Sequence, residues 1–338
     1  MLAFFLHDFS PFILKFGNGF GLRWYGLAYV LAFLFGFMLY EWLAKRRFTD
    51  MPPALVSDFI TWAAIFGVMA GGRIGWILFY GLKESHTEDP WYWPFEVWKG
   101  GMASHGGILG LVLFTYFYAR KYKLSWTSIG DSLVTVAPVG LFIVRCANFI
   151  NGELWGKPTT VPWAVQFPTE LTQDPDAAVA FAREYPTLAR GGASGIDDLV
   201  RSFQHNLFNF GAKSDPELAQ AFRDFLPPRH PSQLYEAFLE GILLFAILWF
   251  MRTRLRLPRG VVTGAFFVLY PIMRIVGEVY RVPDSHWSVG PLSAGQFLSL
   301  FMFGIGAAFI AWGFKKGEYE RVFVEQTTAS KNAAGTAE

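Results

Sequence analysis

The stretch RCANFINGELWG, residues 145 to 156, carries charged and amide side chains at the end of an apolar segment. Arg145 and Glu153 are its two ionisable groups of opposite sign. Lipid offers no hydration to such groups, so an ionisable residue in a spanning segment is a candidate functional residue by default. Asn151, followed by a glycine, and Gly156 are typical of a turn that exposes backbone N–H groups. The stretch therefore predicts a polar site where an apolar helix ends.

A second polar stripe lies in YPIMRIVGEVYR. Arg274 and Glu278 are four residues apart and share a helix face, with Tyr270 one turn before them. A structural Arg–Glu pair that locks helices together is one explanation. However, Arg145 and Arg274 come from separate helices, and paired guanidinium groups are fitted receptors for a phosphate. Because membrane lipids supply phosphate, the two arginines predict an anion site.

Four residues have more than one explanation. His105, in GGMASHGG, has an unperturbed pKa near physiological pH and suits proton transfer, but a helix-start histidine can also hydrogen bond a carbonyl. Asn148, one turn from Arg145, orients that arginine, binds ester oxygens or forms a hydrogen bond between helices. Glu153 either holds an arginine or acts as a base. Cys146 is the single cysteine, and an inert buried thiol is favoured over a nucleophile.

Further strong polar residues lie in or at the ends of the apolar segments. For three of them, Arg23, Arg73 and Arg281, an interfacial anchor or a structural ion pair is as good an explanation as a site residue, because long side chains snorkel easily near helix ends. Glu240 has no partner that the sequence reveals. The remaining members of this group are Tyr25, His230, Gln233, Tyr235 and Glu236.

Composition defines the elements that must position these groups. The chain has 338 residues, of which 53% are hydrophobic and 18% aromatic, which is too apolar for an ordinary soluble enzyme. The net charge of +2 gives no electrostatic footprint for a nucleic acid. A spanning helix needs about 20 mostly apolar residues, which predicts an all-α polytopic integral membrane protein. We expect about seven transmembrane helices, at roughly 21–43, 56–80, 102–119, 128–150, 232–251, 261–280 and 291–314.

The charges of the connectors predict the orientation. Basic residues concentrate in alternate connectors, so the positive-inside rule places the N-terminus outside and the C-terminus in the cytoplasm. Residues 168–228, with apolar residues at helical spacing, predict a small helical cap domain on the outer face. Helices 1–4 then lie in residues 1–167 with the segment 145–156, and helices 5–7 in 229–317. Residues 318–338 have little to bury and predict a flexible cytoplasmic tail.

Six motifs follow one another in an order and spacing that resembles a known family. They are GLRWYGLAYV, GGRIGWILFY, GGMASHGGILG, NFINGELWG, RHPSQLYEAFLEG and RIVGEVYRVPD. From about residue 20 to 315, outside most of 168–228, the chain resembles the bacterial phosphatidylglycerol:prolipoprotein diacylglyceryl transferases. The chain departs from that family in two respects. Val144 and Ala147 stand where the family usually has the glycines that flank the signature arginine, and the insert at 168–228 is longer than expected.

The resemblance implies a multi-pass enzyme of the bacterial inner membrane. It moves the diacylglyceryl group of phosphatidylglycerol onto the lipobox cysteine thiol of a prolipoprotein signal peptide, forming a thioether and releasing glycerol phosphate. The first candidate for the base is His105, with Glu153 or Tyr25 behind it, and Glu278 is expected to position Arg274. Neither a cofactor nor a metal is expected, because the sequence has no H-E-x-x-H or cysteine–histidine ligand set. The implied catalytic residues are His105, Arg145, Arg274 and Tyr25, and the implied phosphatidylglycerol-binding residues are Arg145, Asn148, Glu153, Gly156, Tyr270, Arg274, Glu278 and Arg281.

Other functional classes explain part of the pattern. A membrane transporter or binding protein for a lipid or an anion would also carry intramembrane arginines, but a transporter of inverted halves predicts an internal repeat that the sequence does not show. A scaffold or sensor would account for the spans but not for two arginines with a histidine and the signature turn. A CDP-alcohol-type phosphotransferase needs a cluster of metal-binding aspartates, which Asp131 alone does not supply.

Overall fold

A computed structural model describes residues 4–17, 20–83, 92–96, 101–189, 192–204, 215–282, 288–289 and 292–323. Helices dominate these residues, and two π-helical segments, Ala63–Met69 and Ala237–Leu243, each connect two α-helices. The α-helices are α1 (Trp24–Lys45), α2 (Pro53–Trp62), α3 (Ala70–Phe79), α4 (Ser104–Tyr122), α5 (Trp126–Asn151), α6 (Glu170–Gln173), α7 (Pro175–Glu184), α8 (Ile196–Phe203), α9 (Pro216–Phe225), α10 (Ser232–Glu236), α11 (Leu244–Arg254), α12 (Val261–Tyr280) and α13 (Ala294–Lys316).

Short strands correct the all-α prediction in detail. Strand β1 (Phe5–Leu6) pairs in parallel with β4 (Val165–Gln166). Strands β2 (Phe12–Gly17) and β3 (Phe20–Arg23) form an antiparallel hairpin directly before α1. Strands β5 (Ser288–Val289) and β6 (Leu292–Ser293) pair in the same way before α13. These strands are short and form only two-stranded sheets, so the described part of the chain remains mainly helical.

Five stretches of the described residues are helical, long and apolar enough to cross a membrane. They are Trp24–Lys45, Pro53–Phe79, Trp126–Asn151, Ser232–Arg254 and Val261–Tyr280. The structure also has helices at the third and seventh predicted segments, α4 and α13. Local signals set several ends: Pro53 begins α2, where its missing N–H costs nothing, and Lys123 closes α4 in a left-handed conformation at φ 54°. These features indicate a helical membrane protein.

The chain forms two compact units. The first contains Met1–Leu34, Ala137–Ile247 and Phe267–Ile305, and the second contains Phe35–Val136, Leu248–Phe266 and Gly306–Glu338. Each unit therefore combines segments that are far apart in the sequence.

The first unit includes a hydrophobic core made by α6 to α9. Phe181 and Phe222 are completely buried in it, with ring centroids 5.4 Å apart. Aspartates begin two of its helices, because the Asp174 carboxylate accepts hydrogen bonds from backbone N–H groups of α7 and Asp215 does so for α9. The described part of the 168–228 insert is therefore a packed helical segment.

The second unit has a buried ionic network. The Asp131 carboxylate accepts hydrogen bonds from Gly260 N and Thr263 N, each at 2.8 Å, and pairs with the Arg252 guanidinium at 3.4 Å. Arg252 also pairs with Glu320 at 2.8 Å. The side chains of Arg252, Asp131 and Glu320 are all almost inaccessible to solvent. Burial of these charges is tolerable only because each of them has partners.

Glu320 also bears on the predicted tail. The tail was expected to begin at about residue 318, but Glu320 is buried and pairs with Arg259 as well, at 3.2 Å. Residues 318–323 are therefore anchored to the second unit by this network. The rest of the predicted tail, residues 324–338, lies outside the described residues.

The network predicts that Arg252→Gln destabilises the protein strongly. Removing one partner of a buried ion pair leaves an uncompensated charge and costs about 3–5 kcal/mol. Arg254→Gln, on the same helix but exposed, is the matched control. The apparent unfolding midpoint of the purified protein in detergent should fall for Arg252→Gln and stay near native for Arg254→Gln. Equal midpoints for the two variants would contradict this account.

Candidate active site

Two buried glutamates of the apolar stretch Ser232–Arg254 hold the signature arginine. Arg145 lies on α5, and its Nη1 is 3.2 Å from Glu236 Oε2. Its Nη2 is 3.1 Å from Glu240 Oε2. Both carboxylates are completely inaccessible to solvent. Glu236 and Glu240 are one turn apart on their helical stretch, so both reach the same guanidinium.

Arg274 of α12 and Arg281, the residue that follows this helix, reach the same carboxylates. Arg274 Nη1 donates to Glu236 Oε1 at 3.0 Å and lies 3.7 Å from Glu240 Oε1. Arg281 Nη1 donates to Glu236 Oε1, also at 3.0 Å. The structure thus brings together Arg145 and Arg274, the two arginines that were predicted to share an anion site. We call the five residues Arg145, Glu236, Glu240, Arg274 and Arg281 the arginine cluster.

The charge of the arginine cluster is unbalanced. Three guanidinium groups and two carboxylates leave a formal charge of +1. The arginines of the cluster are more accessible to solvent than its glutamates. The side chains of Arg145 and Arg274 are 15% and 21% exposed, whereas both glutamates are 0% exposed. A group that approaches the cluster therefore meets guanidinium N–H donors rather than carboxylates. Such donors fit a phosphate or another oxyanion.

Glycines allow the cluster to assemble. A Cβ added at Gly241 would lie 2.6 Å from Cβ of Phe142, so α5 and the π-helical segment pack with almost no space between them. A Cβ added at Gly277 would lie 3.2 Å from Cγ of Glu236. The π-helical segment Ala237–Leu243 starts directly after Glu236 and contains Glu240. Such segments are rare and frequently occur at functional sites.

The turn after α5 is tied to the elements that carry the other cluster members. Gly156 N donates to the carbonyl of His230 at 2.9 Å, just before α10, and Lys157 N donates to the carbonyl of Tyr280 at 2.8 Å, at the end of α12. Gln233 Nε2 donates to the carbonyl of Glu153 at 2.6 Å. These bonds hold the ends of α5, α10 and α12 together, which explains the position of the predicted residue Gly156.

Tyr25, Asn148 and Glu153 form a second group in the first unit. The Tyr25 hydroxyl donates to the Glu153 carboxylate, and Asn148 Nδ2 donates both to that hydroxyl and to Glu153 Oε1, the latter at 2.7 Å. Glu153 is therefore held by Tyr25 and Asn148, and the expectation that it holds an arginine has no counterpart among its described contacts. Arg145 lies close enough to the Tyr25 hydroxyl to act on it electrostatically.

Tyr270 and Glu278 lie on α12 with Arg274. The Tyr270 phenol lies within electrostatic range of Glu240, Arg274 and Arg145. The expected pairing of Arg274 with Glu278 is wrong, because the carboxylates that contact Arg274 in the described part of the chain belong to Glu236 and Glu240. The four-residue spacing of Arg274 and Glu278 suggested an ion pair along α12, whereas Arg274 contacts Glu236 and Glu240 of the stretch Ser232–Arg254.

His105 belongs to the second unit. It lies in the first turn of α4 and is exposed. The glycines around it serve helix packing, since a Cβ added at Gly106 would lie 2.4 Å from the carbonyl oxygen of Gly71 and one added at Gly75 would lie 2.5 Å from Cα of Gly106. Helices α3 and α4 therefore approach through small residues, as membrane helices often do.

Arg73 has a structural environment. Its Nε donates to the carbonyl of Pro94 and its Nη2 to that of Trp93, both at 2.7 Å. Its guanidinium also stacks on the ring of Trp76, 4.8 Å from the centroid. The anchoring explanation of Arg73 is thus favoured over a role in a site.

Sequence patterns alone did not assign Glu236 and Glu240, although both are central to the cluster. The available signal was their spacing, since two glutamates one turn apart on an otherwise apolar span need cations from other helices. Among the described residues, no group of three or more histidine, cysteine, aspartate or glutamate side chains is arranged to hold a metal ion.

Fold and site together define a helical membrane protein whose buried polar centre is an arginine–glutamate cluster. The chain matches the family described as prolipoprotein diacylglyceryl transferase over residues 11–312. Curated relatives align with this chain along most of their length. The chain therefore belongs to the prolipoprotein diacylglyceryl transferase family.

Three relatives illustrate the similarity, and all are named phosphatidylglycerol--prolipoprotein diacylglyceryl transferase. The protein of Bdellovibrio bacteriovorus is 37% identical, with 89% of this chain and 92% of the relative covered. That of Nitratidesulfovibrio vulgaris is 39% identical, covering 84% and 86%. That of Serratia proteamaculans is 35% identical, covering 91% and 94%.

The turn after α5 predicts a large effect for Gly156→Ala. A Cβ at this position would lie 2.5 Å from the carbonyl oxygen of Tyr280 and 2.6 Å from that of His230, and neither backbone can yield without loss of the hydrogen bonds described above. Overpacking of this kind costs about 1–3 kcal/mol. Gly36→Ala, in helix α1 with open space around it, is the control. We expect a lower apparent unfolding midpoint for Gly156→Ala only, and a native-like midpoint would refute the tight contact.

His7 packs against the same turn. The ring is completely buried, and its Nε2 donates to the carbonyl of Phe149 at 2.7 Å. A Cβ added at Gly152, whose φ is +65°, would lie 3.1 Å from the ring. Burial disfavours the charged imidazolium and lowers the pKa of His7 to about 4.

This pKa predicts loss of stability in mild acid. Between the ordinary value of 6.5 and about 4, the unfolded chain binds a proton at His7 that the folded chain does not, so acid favours unfolding. The stability that His7 contributes is complete above pH 6.5 and decreases by up to about 3 kcal/mol as the pH falls to about 4. In His7→Gln, which keeps an N–H donor but does not titrate, the unfolding midpoint should depend less on pH over this interval. Parallel pH profiles for the two proteins would show that His7 is not the titrating group.

Proposed function

We propose that this protein transfers the diacylglyceryl group of phosphatidylglycerol to the thiol of the lipobox cysteine of prolipoproteins. The reaction forms a thioether, releases glycerol phosphate and starts the maturation of bacterial lipoproteins. The observation that carries the proposal is the arginine cluster, found in a chain of this family. A lipid or anion transporter is not favoured, because the relatives are named as transferases.

The cluster matches the charge of the lipid substrate. Phosphatidylglycerol carries one negative charge on its phosphodiester, and the cluster carries one formal positive charge. Arg145 and Arg274, the partly exposed members, are the groups that would contact the phosphate oxygens. The glutamates fix the direction of both guanidinium groups before the lipid arrives, which reduces the ordering that binding requires.

The charge that most needs stabilisation in this reaction develops on the phosphate. The sulfur of the cysteine attacks the glycerol carbon of the diacylglyceryl group, a carbon–sulfur bond forms, and the carbon–oxygen bond to the phosphate breaks. The electron pair of that bond leaves with the phosphate oxygen, so negative charge grows there. Preorganised cations in a dry site stabilise such charge, and this stabilisation usually lowers the reaction barrier more than any other single effect. We assign this task to Arg145 and Arg274.

The thiol must also lose its proton, since the thiolate is the nucleophile. His105 is the first candidate for the base, because a histidine exchanges protons near physiological pH without heavy tuning. Glu153 and Tyr25 are the alternatives, and the hydrogen bonds between them and Asn148 give both a defined direction. Asn148, Gly156, Tyr270, Glu278 and Arg281 complete the proposed phosphatidylglycerol-binding residues.

We further propose seven spans in the bacterial inner membrane, with α4 and α13 as the third and the seventh. The N-terminus lies outside and the C-terminus in the cytoplasm, as the distribution of basic residues favours. Residues 168–228 then form a cap on the outer face, where secreted prolipoproteins emerge. The packed core of helices α6 to α9 supports a defined cap rather than a loose loop.

Transfer of labelled diacylglyceryl from phosphatidylglycerol to a lipobox peptide by the purified protein tests this function. Arg145→Ala should reduce the rate by at least about a hundredfold, since loss of one preorganised donor to a developing charge has this effect. Cys146→Ala, next to it in the sequence, should keep native activity because the half-buried Cys146 thiol takes no part in the reaction.

The unfolding midpoint of each variant separates lost chemistry from lost folding. If the native protein is folded and binds the lipid but transfers nothing, the transferase proposal is wrong and a binding or transport function replaces it. A folded Arg145→Ala variant with native transfer would remove the arginine cluster from the mechanism.

A further inference from the structure

The second unit contains a pocket formed by α2, the π-helical segment after it and α4. It is an open cavity of about 340 Å³ with mostly aromatic walls. Two charged side chains of opposite sign, Asp58 and Lys121, also line it. The aromatic walls include Trp62, Phe66, Phe114, Phe117, Tyr118 and Tyr122.

Asp58 is an ionisable residue in an apolar stretch, Pro53–Phe79. Its Oδ1 accepts a hydrogen bond from Trp62 Nε1 at 2.8 Å, and its Oδ2 accepts one from the Tyr118 hydroxyl at 3.0 Å. Within the described residues, no lysine or arginine lies within 4.0 Å of this carboxylate. The carboxylate is thus fixed in direction by neutral donors while its charge remains uncompensated. A charge kept in such a segment is a functional-site hypothesis by default.

Lys121 is the complementary charge, near the end of α4. It is exposed, and its Nζ lies over the ring of Tyr122, 5.1 Å from the centroid. In the part of the chain that the structure describes, its ammonium group has no carboxylate within ion-pair distance, Asp58 included. Among the described residues, this pocket therefore holds an anion and a cation that pair with no charged side chain.

We propose that this pocket binds the head group of a zwitterionic phospholipid, one with an ammonium group linked to a phosphate. The ammonium group pairs with Asp58 and lies against aromatic faces, whose negative electrostatic potential attracts cations. Lys121 pairs with the phosphate. Phe66 and Phe117, both exposed, offer apolar surface to the acyl chains.

The charges of the pocket distinguish this lipid from the proposed substrate. Phosphatidylglycerol carries a negative charge and has no ammonium group, so it would leave Asp58 without a partner. The arginine cluster shows the opposite arrangement, with an excess of positive charge for an anionic head group. The protein thus has two lipid sites of different chemistry, one that consumes a lipid and one that retains a lipid as a partner.

Native mass spectrometry of the full-length protein, delipidated in detergent and then mixed with a defined lipid, tests the proposal. The probes are phosphatidylethanolamine and its N-acetyl derivative, which has lost the ammonium charge. Native protein should retain phosphatidylethanolamine about fivefold better than the derivative, as expected for an ion pair of about 1 kcal/mol between the ammonium group and Asp58. Asp58→Asn, whose amide oxygen still accepts from Trp62 and whose NH₂ group can donate to the Tyr118 hydroxyl, should discriminate between the two lipids clearly less than native protein.

Glu41→Gln serves as the matched control, because Glu41 is an acidic residue of the same unit that is paired with Lys45 at 3.0 Å outside the pocket. This variant should discriminate between the two lipids as the native protein does. The proposal is overturned if native protein does not discriminate, or if Asp58→Asn discriminates as well as native. Diacylglyceryl transfer is not read in this experiment, so its outcome is independent of the proposed function.

Discussion

The complete burial of Glu236 and Glu240 is the constraint on which the site depends. A carboxylate without water or partners in an apolar interior is so unfavourable that the protein must supply cations to it. Here the cations come from two different parts of the chain: Arg145 lies on α5, Arg274 lies on α12, and Arg281 directly follows α12. Because three guanidinium groups meet two carboxylates, the arrangement both fixes the arginines and leaves a positive charge for a phosphate.

Small residues make this arrangement possible. Gly241 allows Phe142 to approach within a distance that a Cβ would forbid, and Gly277 leaves close but sufficient space for the side chain of Glu236. The turn at Gly156 then binds the ends of the same helices through backbone hydrogen bonds. The arginines are thus positioned by packing and by hydrogen bonds that exist before any ligand binds, which is the condition for electrostatic catalysis.

Much of this site was predictable from sequence. The apolar segments and the strong polar groups within them pointed to Arg145 and Arg274, and both contact Glu236 in the structure. The stretch 145–156 also pointed to Asn148 and Glu153, and motif resemblance added a role for Tyr25; these three residues form one hydrogen-bonded group. Periodicity, however, reports only which residues share a face of one helix. It suggested that Glu278 pairs with Arg274 along α12, whereas the partners come from another helix.

The same limit explains other omissions. The partners of Asp131 and the burial of Glu320 depend on packing between segments far apart in sequence. Two-residue strands such as β1 and β4 are too short for an alternating pattern to indicate them. Asp58 was overlooked because a single carboxylate near a helix end looks like a solvated group until its aromatic surroundings are known.

The most direct test of the arginine cluster is the dissociation constant of a short-chain phosphatidylglycerol, measured at equilibrium for native protein, Arg274→Gln and Arg254→Gln. Arg254 is exposed on α11 and controls for the loss of a positive charge. A charge-assisted hydrogen bond contributes about 1.5–3 kcal/mol, so Arg274→Gln should bind the lipid at least about tenfold more weakly, with Arg254→Gln near native. Native affinity in folded Arg274→Gln would contradict the account, because the phosphate would then bind somewhere other than the arginine cluster.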